Sequence, residues 1–264
     1  MALCRGLLVL FFTLPMLAVA VEQFGYRVTD RKPQSTENFV QGLEIVDDYL
    51  YVSTGNYGKS HLLRYRFDDG TLEASHKVDP RIFAEGLTVL GDRIYQLTYR
   101  NRMALVYNRD DLQVLGWFRI PGEGWGLTHN GGELIYSDGS DKLHFLSPRT
   151  QQITRSLSVR ENGVPVTMLN ELEWVEGKIW ANIWQSDRIV VIDPDSGEVT
   201  ATIDLQGLLP AADRHDGADV LNGIARNPAD GAIWVTGKRW PWLYQIELVP
   251  VADPKQPTPQ PESR

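Results

Sequence analysis

Cysteine is almost missing from this chain: among 264 residues the only one is Cys4. Disulfides therefore play no part in the fold, even in a compartment that would permit them. An excess of basic residues is also missing. Twenty-six Lys and Arg against 34 Asp and Glu give a formal charge of −8, which argues against nucleic acid or an anionic membrane surface as partner. The five histidines, His61, His76, His129, His144 and His215, show no metal-ligand spacing, so no metal and no cofactor is expected. There is no Gly-x-Ser-x-Gly signal for a serine nucleophile. Ser53 to Ser60 ends like a phosphate-binding loop. However, Ser53 stands where the first Gly is needed, and an alternating strand follows where a helix is required.

A long apolar run is the last absence. Leu7 to Ala20 is broken by Thr13 and Pro15, and about fourteen apolar residues are too few for a bilayer core of ~30 Å. Arg5 precedes this stretch and Ala18-Val19-Ala20 closes it, the pattern of a cleaved leader. Residues 1–20 are thus expected to be a signal peptide, delivering a periplasmic or secreted protein with no stable membrane association. An uncleaved anchor is the competing reading. Cys4 lies ahead of the apolar stretch, which does not fit a lipoprotein.

What is present is a repeat. Gln41-Gly42-Leu43, Glu85-Gly86-Leu87, Trp125-Gly126-Leu127, Glu171-Leu172-Glu173 and Asn222-Gly223-Ile224 resemble one another, and their apolar residues are separated by 44, 40, 45 and 52 residues. Each phrase leads through a hairpin-type turn such as Asn130-Gly131-Gly132 to a second segment, such as Leu134-Ile135-Tyr136-Ser137. A third segment follows (Leu62 to Phe67 in the first unit), and after a turn such as Asp68-Asp69-Gly70 a fourth (Leu72 to Val78). Four strands in each unit of about 45 residues is the arithmetic of a propeller blade.

The fifth unit lacks its fourth strand, because from Pro250 the chain becomes Pro-rich. Gln23 to Thr29, ahead of the first unit, has no other partner. Pairing it with the last unit closes the ring and removes two sheet edges. The expected organisation is all-β: a five-bladed propeller over 21–249, closed by the N-terminal strand, then a disordered tail over 250–264. A β-sandwich is the competing fold, but it leaves the repeat unexplained.

In such a ring the start of each first strand lies beside the end of the second, at one mouth of the channel. Two sets of residues gather there. One is Gln41, Glu85, Trp125, Asn170 and Asn222, with Phe39 and Phe83 just ahead of two of them. The other is Ser53-Thr54-Gly55, Thr98-Tyr99, Ser137-Asp138, Asn182 to Trp184 and Thr236-Gly237-Lys238. A few convergent polar groups in an aromatic surround is the usual make-up of a small-molecule site. The glycines of the phrases read as fold punctuation, Asp138 before Gly139 as a turn former, and Glu44 and Glu173 as channel lining. Glu85, Asn170 and Lys238 interrupt apolar segments, where burial needs a reason. Spacing alone leaves both a functional role and structural polar satisfaction open for those three.

These phrases also resemble a known family. Phe39-Val40-Gln41-Gly42-Leu43, Phe83-Ala84-Glu85-Gly86-Leu87-Thr88, Glu123-Gly124-Trp125-Gly126-Leu127-Thr128, Leu169-Asn170-Glu171-Leu172-Glu173, Trp180-Ala181-Asn182-Ile183-Trp184 and Val235-Thr236-Gly237-Lys238 look like the glutaminyl cyclases of plants and bacteria, across roughly Tyr26 to Leu248. The resemblance implies cyclisation of the N-terminal glutamine of a peptide or protein to pyroglutamate with loss of ammonia; a monomer is expected. It implies catalytic roles for Glu85, Asn170 and Lys238, and substrate contacts for Phe39, Gln41, Phe83, Tyr99, Trp125 and Trp184. Glu85 is then the proton carrier, with a raised pKa beside the aromatic wall, and Asn170 and Lys238 hold the oxyanion. The sequence departs from the family pattern at Val40, Ala84 and Tyr99, and Tyr99 bears on substrate preference. Two other readings stand beside this one. A lactonase-like propeller would hold calcium with Asn170, Glu171, Glu173 and Asn222, against which Lys238 at the same mouth argues. A non-catalytic peptide-binding propeller is the other, since fold alone does not fix function.

Overall fold

The computed structural model describes residues 20–251. The expected leader, apart from Ala20, and the tail from residue 252 onward lie outside the described residues. Among the described residues there is no helix. The chain forms five blades of four antiparallel strands. The first comprises Val40–Val46, Tyr49–Thr54, His61–Arg66 and Leu72–Lys77, and the second Ala84–Leu90, Arg93–Thr98, Met103–Asn108 and Val114–Arg119. The third comprises Leu127–His129, Leu134–Ser137, Lys142–Ser147 and Gln152–Ser158, and the fourth Leu169–Val175, Lys178–Ile183, Arg188–Ile192 and Val199–Asp204. The fifth has Leu221–Arg226, Ile233–Gly237 and Trp242–Pro250, and Glu22–Pro33 is its fourth strand. A hairpin, Arg160–Glu161 with Val164–Pro165, lies outside the repeat; its Glu161 takes Arg188 at 3.0 Å.

Both faces of each blade are covered by neighbours, so the inner strands read as apolar runs rather than alternating ones. Ile94, Tyr95, Gln96 and Leu97 of the second blade are all buried. The described core is five clusters, one at each junction between blades. Tyr51 and Leu62 meet Leu87 and Ile94 at one, and Val40 and Leu43 meet Ala225 and Trp234 at the junction that closes the ring. The fourth strands of the first three blades face solvent, and Leu72–Lys77 has no fully buried residue, whereas Val199–Asp204 of the fourth blade is mostly buried.

At the axis the inner strands come too close for side chains. A Cβ on Gly86 would lie 2.5 Å from the Leu127 nitrogen and 2.6 Å from the Trp125 carbonyl oxygen, and Gly42 and Gly126 are enclosed in the same way by the backbone of the next blade. The fourth blade has Glu171 where these have glycine. Its carboxylate bridges the axis, accepting Leu43 N–H at 3.2 Å and Ile224 N–H at 2.9 Å. Glu44 and Glu173 continue this device, accepting Val89 N–H at 2.7 Å and Arg226 N–H at 2.8 Å. Burial pushes the Glu171 and Glu173 carboxyls well above the usual carboxylate range.

The N-terminal strand does more than fill a gap. It runs antiparallel to Trp242–Pro250, from Phe24 opposite Pro250 to Pro33 opposite Trp242, with a bulge between Val28 and Asp30. Its first residues also pair in parallel with the fourth blade, Glu22 opposite Ala201 through Phe24 opposite Ile203. One strand therefore joins two blades into an eight-stranded sheet and covers two edges. The last strand includes Pro250, one residue beyond the boundary drawn from the sequence.

Gly86→Ala should cost about 3 kcal/mol in denaturant unfolding, since the neighbouring backbone must move. Gly116→Ala on the exposed face of the second blade, where a Cβ meets nothing within 4 Å, should change stability by less than about 0.5 kcal/mol.

Candidate active site

The inner strands carry the same irregularity at the same place. Register shifts fall between Val40 and Gly42, Ala84 and Leu87, Leu169 and Leu172, and Leu221 and Ile224. A bulge re-aims the residue it displaces, and the residues inside these intervals include Gln41, Glu85, Asn170 and Asn222. In the third blade the strand begins only at Leu127, so Trp125 stands ahead of it. Lys238 follows the second strand of the fifth blade. It is pinned by paired backbone bonds, its N–H to Val220 O and its O from Asp219 N–H, both 2.9 Å.

Neighbouring blades hold these backbones in place. Ser53 Oγ donates to the Glu85 carbonyl and itself accepts Gln96 Nε2 at 2.7 Å; Tyr107 Oη donates to Gln96 Oε1 at 2.7 Å. Ser137 Oγ donates to the Asn170 carbonyl at 2.7 Å and accepts Gly126 N–H at 2.8 Å. Asn222 Nδ2 donates to Gln41 Oε1 at 3.2 Å, orienting that amide.

The result is one open cavity of about 310 Å³. Phe39, Gln41, Phe83, Glu85, Tyr99, Trp125, Asn170, Trp184 and Lys238 all line it, together with Gln185, Asp219 and Val220. Aromatic rings meet edge to face around it. Phe83 is 6.2 Å from Phe39, 5.9 Å from Tyr99 and 5.5 Å from Tyr57, while Trp125 and Trp184 meet at 5.5 Å. Gly55 is required where the Phe83 ring crosses it, and Gly139, with φ of 81°, lies under the Trp125 ring.

Within this wall Glu85 is 5% exposed and Lys238 4%. Burial drives the Glu85 carboxyl well above the usual carboxylate range, and the nearby Glu123 carboxylate adds to the rise while Lys238 opposes it. Burial lowers the Lys238 ammonium, and Glu85 and Asp219 oppose that. The Lys238 Nζ lies 5.0 Å from the centroid of the Phe39 ring, a cation–π contact. An acid that keeps its proton to higher pH and an ammonium inclined to lose one can exchange protons with a bound substrate.

The other polar residues read from the sequence have different employment. Asp138 caps its turn, accepting Ser140 N–H at 3.0 Å, and takes His144 Nε2 at 3.1 Å; with these partners it is held down at a pKa of about 2 despite burial. Asn182 Oδ1 accepts Gly223 N–H at 2.9 Å. Glu171 and Glu173 commit oxygens to backbone N–H groups, and Asn222 donates to Val40 O and Gln41. Asn170 alone of the four residues considered for calcium faces the cavity.

Comparison with known proteins identifies the family. The family model for glutamine cyclotransferase matches residues 7–248. The chain belongs to that family. It is 40% identical over 222 residues to a glutaminyl-peptide cyclotransferase of Arabidopsis thaliana, covering 82% of this chain and 69% of that one. The crystal structure of Myxococcus xanthus glutaminyl cyclase superposes with a TM-score of 0.82 at 33% identity, over 88% of this chain and the whole of that one. The five-bladed fold is thus the family's fold.

Three lining residues escaped the sequence reading. Gln185 directly follows Trp184 in a left-handed turn, φ 62°, and Asp219 and Val220 end the long connection that makes the last repeat spacing 52 residues. That excess length was the available signal.

Glu85→Gln supplies a linkage test. A carboxyl whose folded pKa is raised contributes stability that is fully present below its unfolded value, near 4.5, and lost as pH rises through the folded value. Thermal melts should therefore show Glu85→Gln gaining on the wild type as pH increases from 4 toward neutrality. A constant difference across that range would contradict the raised pKa.

Proposed function

We propose that this chain cyclises the N-terminal glutamine of peptides and proteins to pyroglutamate, releasing ammonia, with Glu85 as the proton carrier. The observation that carries this reading is a buried carboxylate of raised pKa in an aromatic pocket, beside an amide and an ammonium, within a family of glutamine cyclotransferases. In this scheme Glu85 takes a proton from the substrate's α-ammonium. The freed amine attacks its own side-chain amide carbon, forming the N–C bond of a five-membered ring. The oxyanion that develops is held by Asn170 and Lys238. Glu85 then gives its proton to the amide nitrogen, the old C–N bond breaks, and ammonia leaves. The ring nitrogen's surplus proton departs through the same carboxylate, so the products are a neutral lactam and ammonium.

The attack is intramolecular, so the aromatic wall's task is conformational. Phe39, Phe83, Tyr99, Trp125 and Trp184 fold the glutamine side chain onto its own amine, and Gln41 is available to its polar end. A cavity of about 310 Å³ fits one residue and leaves the following chain outside. The proposed setting is periplasmic or secreted, supported by the leader pattern of residues 1–20, and the proposed state is a monomer.

Ammonia release from a Gln-initiated dipeptide, with its N-acetylated form as control and EDTA throughout, tests the reading. Release from the free-amine peptide alone is expected; release from both indicates an amidase, and release from neither indicates a binding protein. Glu85→Gln should abolish turnover in correctly folded protein, and Asn170→Ala or Lys238→Met should each lower kcat about a hundredfold, the scale of one oxyanion donor at ~3 kcal/mol. The acid limb of kcat/KM should lie above the ordinary carboxylate value of 4.5. Activity falls on that limb as pH drops, because Glu85 must be ionised to accept the first proton.

A further inference from the structure

Glu123 opens a phrase that the mechanism above leaves unused. It does not line the cavity, yet it touches the pocket wall at Trp125. The Trp125 indole Nε1–H donates to Glu123 Oε2 at 3.1 Å. The other carboxylate oxygen, Oε1, faces the Arg100 guanidinium at 3.5 Å. Arg100 in turn stacks on the Tyr99 ring at 4.8 Å and donates to its hydroxyl at 3.3 Å. One carboxylate thus connects Trp125, which precedes the third blade's inner strand, with Tyr99, at the end of the second blade's second strand.

These contacts restrain a ring that packing alone leaves one freedom. Gly139 lies beneath the Trp125 ring and Trp184 meets it edge to face at 5.5 Å. Sliding in the ring's own plane remains, and a charge-assisted hydrogen bond to the indole nitrogen removes it. The Arg100–Glu123 pair is exposed, with side chains 69% and 37% accessible, so as an ion pair it adds little stability. Its value is geometric: it holds the carboxylate where the indole needs it and links the two aromatic walls.

We propose that Glu123 is a positioning residue of this site, fixing Trp125 and, through Arg100, the spacing between Trp125 and Tyr99. The proposal rests on the cyclase reading given above. Its negative charge has a second consequence, because it is one of the groups holding the Glu85 proton. The two effects separate in different variants. Glu123→Gln keeps an acceptor oxygen and loses the charge, whereas Glu123→Ala loses both.

The test is steady-state kinetics on a Gln-initiated dipeptide across pH. For Glu123→Ala, KM should rise roughly tenfold with kcat changed less than about threefold, the scale of one charge-assisted hydrogen bond acting on binding geometry. Introduced into Trp125→Phe, which has no indole N–H, the same change should leave KM within about twofold. Glu123→Gln should keep KM near the wild-type value while the acid limb of kcat/KM moves to lower pH, since removing a neighbouring negative charge lowers the Glu85 pKa. An equal KM penalty in both Trp125 backgrounds overturns the positioning role, and an unmoved acid limb in Glu123→Gln overturns the charge effect on Glu85, while wild-type turnover leaves the cyclase reading intact. A wild type that releases no ammonia defeats that reading, and this inference with it.

Discussion

Five strands share the space around one axis, and in the first three blades the backbone of the following blade leaves no room for a Cβ. Most other features follow from that crowding. Glycine is required at Gly42, Gly86 and Gly126 because their Cβ positions fall on neighbouring backbone. The bulges beside them relieve the strands at the mouth and turn Gln41, Glu85 and Asn170 toward the opening. The residue after the proposed general base in Phe83-Ala84-Glu85-Gly86 is thus a structural necessity, and the functional residue sits where the fold is already irregular. Glu171 is the exception that fits the rule. The fourth blade puts a side chain on the axis, and both its oxygens are taken by N–H groups of the first and fifth blades.

Crowding also accounts for the electrostatics. A carboxylate at the mouth of a tightly wound ring is shielded by its neighbours' backbones and, outward, by aromatic rings. Burial is therefore the largest influence on Glu85, and Lys238 only partly offsets it. A free carboxylate in such a place would wander or recruit a partner. Here its backbone is fixed by Ser53, which is held by Gln96 and that by Tyr107, while Ser137 does the same for Asn170. Ser53 and Ser137 spend their hydroxyls on the next blade's carbonyls, so the side chains of Glu85 and Asn170 remain available to the cavity.

Much of this was legible in the sequence because the repeat is physical. Each blade must supply an inner strand, a turn and a paired strand, so recurrence at Leu43, Leu87, Leu127, Leu172 and Ile224 fixed blade number and the mouth residues together. The missing fourth strand of the last unit identified its substitute at Gln23 to Thr29. Features without a repeat were not legible. The parallel pairing of Glu22–Phe24 with Ala201–Ile203 depends on where two edges end in space. Asp219 reaches the cavity from an irregular connection, and Glu123 acts through an indole nitrogen whose direction no spacing encodes. Glu44, Glu171 and Glu173 could be placed in the channel, but their partners could not be named, since those are backbone N–H groups of other blades.

The central claim is that the fold raises the Glu85 carboxyl well above the ordinary carboxylate range, so that it can take a proton from the substrate's α-ammonium and pass it to the leaving nitrogen. The most direct measurement is a difference infrared titration of wild type against Glu85→Gln, following the carboxylic C=O stretch. A protonated carboxyl band, present in the wild type alone and persisting clearly above the ordinary value of 4.5, is the predicted result. A Glu85 signal that ionises at or below that value would contradict the account, because so weak a base is poorly matched to take the proton from the substrate's α-ammonium.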